Sequence, residues 1–148
     1  MFRKNFQSGF TLLELLVVVA IIAILAGAII VNLNRARGEA NDARIQSDLR
    51  SVSDAIQLYV STGGAASDLQ GSNYSTSLIK LTQGANPLIP GGALPTHPGA
   101  PTYTYKYSGT ASGGLLDYRL EGHLTAGSDS TECFIMNNGS PTTGGCTL

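Results

Sequence analysis

The sequence predicts an α+β chain in which one long N-terminal helix, apolar enough in its first half to span a membrane, packs in its second half on a small antiparallel β-sheet. Three observations carry that prediction. From Phe10 to Val31 the chain is apolar, broken only by Thr11, Glu14 and glycine. Ile45, Leu49, Val52, Ile56 and Tyr59 then recur at spacings of four and three, an amphipathic stripe. Beyond Tyr103 the period changes to two, the pattern of strands.

The first element fixes topology. Met1 to Gly9 is short and polar, with Arg3 and Lys4. The apolar run that follows, about 22 residues, reaches about 33 Å as a helix, enough to cross a bilayer core of about 30 Å. Arg3 and Lys4 hold the N-terminus in the cytoplasm by the positive-inside rule, so the chain after Asn32 faces outward. A secretory signal peptide is the competing reading, with Ala26-Gly27-Ala28 as its cleavage site. Against it, the apolar run continues through Ile29, Ile30 and Val31, and a disposable segment has no use for Glu14.

The helix does not stop at the membrane. No proline occurs before Pro87, and the first strong stop is Gly63-Gly64, so helix is expected from about Phe10 to about Thr62. Between Asn32 and Thr62, Arg35, Arg37, Arg44 and Arg50 balance Glu39, Asp42, Asp48 and Asp54. That balance suits complementary contacts between neighbouring copies, and it suits a solvated helix face equally. The stripe is too short for a coiled coil and reads as the face that meets a sheet.

Residues 63–100 read as loop, with Gly63-Gly64, Gly91-Gly92, Pro87, Pro90, Pro95 and Pro98. Tyr103, Tyr105 and Tyr107 alternate with Thr104 and Lys106 as a first strand, its tyrosines read as the face packed on the helix, with a ligand platform as the alternative. Gly109 to Gly114 is a turn-rich link. Leu116, Tyr118, Leu120 and Leu124 alternate with Asp117, Arg119, Glu121 and His123 as a second strand, and Cys133 to Met136 forms a third before an Asn138-Gly139 turn. Two cysteines, Cys133 and Cys146, near one end of an exported chain suggest a single disulfide, with two free thiols as the alternative.

Composition narrows function. At 148 residues there is room for one ordinary domain. Charged residues make up 13% of the chain and the net charge is −1, with no basic patch, so no nucleic-acid partner is expected. His97 and His123 lack companions at metal-ligand spacing, and Asp129 and Glu132 are too sparse for a calcium loop. No phosphate loop or nucleophile motif is present, so neither catalysis nor a cofactor is expected.

The string Ser8-Gly9-Phe10-Thr11-Leu12-Leu13-Glu14-Leu15 resembles the processing motif of type IV prepilins and type II secretion pseudopilins. The close resemblance covers about Gly9 to Val31. It implies that a membrane peptidase cuts after Gly9 on the cytoplasmic side and N-methylates Phe10. It implies a cleaved leader (1–9), a transmembrane and polymerisation helix (10–31), its amphipathic continuation (32–62) and a head (63–148). Within the head it implies a variable loop (63–100), a sheet (101–136) and a disulfide loop (133–146). The expected partners are other copies of the subunit, the peptidase, a membrane assembly platform and, before assembly, the bilayer. Many family members carry a proline late in the apolar run, and this chain has only Gly27 there. Major pseudopilins often hold calcium at the sheet end, so the sparse carboxylates lean towards a pilin.

Glu14 has an argument of its own. A carboxylate in an apolar helix is costly unless paired, and no cation lies elsewhere in the run. Cleavage would create one, the amine of Phe10. The resemblance implies that Glu14, together with Thr11, serves assembly by pairing between subunits. The alternative is that Glu14 snorkels to the membrane surface. The expected function is a structural filament subunit. Its rivals are a pseudopilin or minor pilin and, from another class, a membrane-anchored or secreted binding module.

Overall fold

The computed structural model describes residues 10–83, 87–126 and 132–147, which fall into two compact units divided between Ala36 and Arg37. Helix α1 (Leu12–Ser61) runs unbroken through both. Nothing in its sequence interrupts the i→i−4 ladder, since it holds no proline and its glycines are isolated. It ends where the glycine pair stands. Gly63 adopts φ +96, Gly63 N–H donates to the Val60 carbonyl at 3.3 Å, and Gly64 N–H donates to the Tyr59 carbonyl at 2.9 Å. Those are the two bonds of a Schellman cap, and the left-handed residue is the glycine that such a cap prefers.

In the first unit the described apolar side chains lie exposed. The most apolar 18-residue window of α1 has a mean hydropathy of 3.0, and none of it is buried. Leu12, Ile24 and Ile29 each expose more than half of their surface. Such a surface needs lipid or another protein to cover it.

The second unit holds the core. The expected stripe is its helical side: Ile45, Leu49, Val52 and Ile56 are fully or almost fully buried, and Tyr59 packs against them in part. Four antiparallel strands lie in sequence order, β1 (Lys106–Ser112), β2 (Leu115–His123), β3 (Glu132–Asn137) and β4 (Ser140–Gly145). Tyr105, Tyr107, Tyr118, Leu120, Phe134 and Met136 join the helix stripe in one cluster. Gly122 sets how closely β2 approaches the helix. A Cβ there would come within 2.6 Å of Ile45 Cγ2 and 3.1 Å of Leu49 Cδ1.

The structure departs from the sequence reading in three places. Tyr103 and Tyr105 precede β1 instead of belonging to it, and β1 runs on to Ser112 through the supposed link, leaving only Gly113-Gly114 as turn. The tail past Asn138-Gly139 is a fourth strand rather than loop, paired to β3 from Asn137↔Ser140 to Glu132↔Gly145. Both two-residue turns have positive φ at both positions, the I′ geometry that matches strand twist. Finally, the 63–100 segment holds short helical turns, Ala66–Leu69, α2 (Tyr74–Ser77) and Ile79–Thr82, which bring Leu69, Leu78 and Leu81 into the core.

Candidate functional site

At the start of α1 the chain builds a reciprocal cap. Phe10 and Thr11 lie outside the helix, and Phe10 is 84% exposed. The Thr11 backbone N–H donates to Glu14 Oε2 at 2.9 Å, and the Thr11 hydroxyl donates to the same oxygen at 2.8 Å. In return the Glu14 N–H donates to Thr11 Oγ1 at 3.3 Å. This is a capping box, Thr at the N-cap and Glu three residues on, and it fixes the helix start at Leu12. The Thr-x-x-Glu spacing is the sequence signal for this cap, and the position of Glu14 in an apolar run, which points to a charge partner, masks it. Gly9, Arg3, Lys4 and Asp129 lie outside the described residues.

At the other end, Cys133 and Cys146 form a disulfide, with Cα atoms 5.2 Å apart. Cys133 is buried on β3 and Cys146 is exposed just past β4. The bond therefore closes the open end of the β3–β4 hairpin, opposite the Asn138-Gly139 turn.

Beside the disulfide sits a group whose burial the alternation did not foresee. Glu121, expected on the solvent face of β2, is 1% exposed. The Arg119 guanidinium donates to its Oε1 at 2.6 Å, and Thr147 donates through its backbone N–H at 3.1 Å and its hydroxyl at 2.8 Å. The C-terminal segment covers this face of the sheet, so β2 is buried on both sides from Leu120 to Gly122. Alternation misleads where both faces are covered.

Asp42 ties the helix to the end of β2. Its Oδ1 accepts the Thr125 N–H at 2.6 Å and the Thr125 hydroxyl at 3.0 Å, and its Oδ2 accepts the Ala126 N–H at 3.1 Å. Gly38 permits this approach, since a Cβ there would lie 3.0 Å from Ala126 Cα. His97 is buried, and its ring is spent on structure: Nδ1 accepts the Gly99 N–H and Nε2 meets the His123 carbonyl, both at 2.9 Å. No group of three His, Cys, Asp or Glu side chains stands at metal-binding spacing among the described residues.

Residues 4–30 match the family model described as the prokaryotic N-terminal methylation motif. The type II secretion system core protein G of Klebsiella michiganensis is 32% identical over 93 residues, 63% of this chain and 57% of that protein. Core protein G of Aeromonas hydrophila is 39% identical over 57 residues, 38% of this chain and 40% of its own length. The type IV wide pilus major component PilA4 of Thermus thermophilus is 49% identical over 51 residues, 34% of this chain and 39% of its own. The chain thus spans between 39% and 57% of the length of these three relatives. No solved structure matches it.

Proposed function

We propose, from the support that the methylation motif and these relatives give to the type IV pilin and type II secretion pseudopilin superfamily, that this chain is the structural subunit of a filament assembled through α1. The observation that carries the reading is the pairing of an apolar, uncovered helix with a carboxylate close to its start. The helix anchors the precursor in the cytoplasmic membrane, with the N-terminus on the cytoplasmic side and the head outside. Cleavage between Gly9 and Phe10 and N-methylation of Phe10 leave a cationic amine within about one turn of Glu14. In the filament the Glu14 carboxylate pairs with the Phe10 amine of a neighbouring copy, which removes two buried charges at once. Before assembly, Thr11 supplies the hydrogen bonds that make the carboxylate tolerable in the apolar segment. The peptidase and the assembly platform are the remaining partners.

A secretion pseudopilin is the second reading, and one observation favours it. The match to core protein G of Klebsiella michiganensis covers 93 residues and extends beyond the N-terminal helix, whereas the match to PilA4 covers 51. Expression beside either a retraction ATPase or a secretion channel separates the two by which machinery extrudes the subunit.

Mass spectrometry of the mature subunit tests the processing step. The expected N-terminus is a methylated Phe10, and the expected location of the mature chain is the filament fraction released by shear. An N-terminus near Ile29 would mean ordinary signal cleavage and would end the filament reading.

A further inference from the structure

The second unit carries an open cleft for which assembly through α1 has no use. It measures about 660 Å³ and lies between the Ser72–Ser75 turn, residues 94–97 and residues 103–108. That size falls among ordinary small-molecule sites. Tyr74 and Tyr103 stand half-buried on its wall, and Ser72, Thr96, Thr104 and Ser108 line it with hydroxyls.

The chemistry of the wall is selective. No described residue lining the cleft carries a carboxylate, and Lys106 is the one cationic side chain among them. His97 lines it too, but both of its ring nitrogens are already engaged. A wall so nearly neutral offers little to an anion or a cation. A wholly apolar ligand would strand the hydroxyls without partners. What fits is a neutral molecule with apolar faces and a hydroxyl rim.

The rings are held in place beforehand. Tyr103 stacks on His123 with centroids 4.1 Å apart and planes 18° apart, and Tyr74 packs on Tyr105 at 5.6 Å. Little conformational freedom is left to lose on binding. The Tyr74 hydroxyl is itself buried, out of reach of the cleft, so Tyr74 offers only its half-buried ring to a ligand.

We propose that this cleft binds a neutral saccharide of one or two hexose units, its C–H faces against Tyr74 and Tyr103 and its hydroxyls on the serine and threonine rim. The proposal stands whether the chain serves a pilus or a secretion filament. The experiment is saturation-transfer NMR on the full mature chain, held in phosphocholine micelles because sugar-headed detergents would compete, with lactose, maltose and N,N′-diacetylchitobiose as neutral probes and sialyllactose as the acidic one. Transfer to at least one disaccharide is expected. Tyr74→Ala is expected to weaken it about tenfold, the loss of one stacked face. Thr104→Trp, an exposed position whose new ring fills the cleft, is expected to abolish it while leaving the fold intact by circular dichroism. The proposal fails if no disaccharide shows transfer. It fails equally if Thr104→Trp binds as well as the parent chain, or if only an acidic sugar binds and Lys106→Gln removes that binding.

Discussion

Glu14 Oε2 accepts both the backbone N–H and the hydroxyl of Thr11, at 2.9 and 2.8 Å. A carboxylate so satisfied can wait in an apolar segment without a counter-ion, and it can leave that cap when a better partner arrives. Assembly offers such a partner only if the Phe10 amine of the next copy comes within reach.

That exchange predicts how variants divide. Glu14→Leu removes a charge from the apolar run, so membrane insertion is expected to be unchanged or improved. The loss is expected in polymerisation, with subunit accumulating in the membrane and little fibre released by shear. Glu14→Gln keeps the size and loses the charge, and it is expected to behave in the same direction. Thr11→Ala removes the cap hydroxyl, worth about 1 kcal/mol of helix start, and is expected to leave a milder deficit. Fibre yields equal to the parent in both Glu14 variants would reduce the carboxylate to a bystander.

The tail offers a second prediction. Reduction of Cys133–Cys146 frees the end of β4 and with it the Thr147 contacts to Glu121. The chain-entropy model sets the stabilisation near 3 kcal/mol for a loop of this size. The Asn138-Gly139 turn still closes the other end of the hairpin, so the sheet is expected to stay folded after reduction, with a lower denaturation midpoint. Melting curves with and without reductant measure this. Equal midpoints would show that β4 is held by its strand pairing alone.

These two sites differ in how far the sequence revealed them. The helix, its stop at Gly63-Gly64 and its buried face were legible because each rests on local chemistry: an apolar run, a left-handed glycine and a four-and-three stripe. The Asn138-Gly139 turn was legible for the same reason. Strand β4 was not. Ser140 to Gly145 carries no apolar alternation and lies almost wholly exposed, so no burial signal marks it. Its place comes from the turn before it, the disulfide after it and the ladder to β3. Glu121 was misread because its cover, Thr147, is distant in sequence. Tyr105 points inward as expected, yet it does so from a segment ahead of the strand, where its hydroxyl donates to Asp48 on the helix at 2.7 Å.

Asp42 supplies a third prediction. Asp42→Ala leaves the Thr125 and Ala126 N–H groups without their acceptor at the end of β2. The carboxylate is half-exposed, so water recovers part of the loss, and the cost is expected at about 1–2 kcal/mol, the low end for a stranded donor. Asp42→Asn keeps one acceptor oxygen and is expected to recover most of it. Thermal unfolding of the three chains side by side is the measurement. A loss from Asn as large as that from Ala would assign the effect to charge rather than to hydrogen bonding.

The last prediction concerns pH. Burial, the largest influence, holds His97 below the ordinary histidine value, assisted by the charge of His123 and opposed by the His123 carbonyl and by Asp42 and Asp48. The geometry agrees, since the Gly99 N–H already points at Nδ1 and a second ring proton there would face a donor. In the unfolded chain the same imidazole titrates near about 6.5. Above that value neither state holds the proton and His97 contributes no slope. Below it the unfolded chain takes up a proton that the folded chain resists, so stability falls as pH falls, until the lowered folded value is reached. Denaturant midpoints between about pH 7.5 and about pH 5 are expected to decline on acidification. His97→Gln, which can still donate to the His123 carbonyl, is expected to flatten that decline. An unchanged slope in His97→Gln would move the pH dependence to the carboxylates.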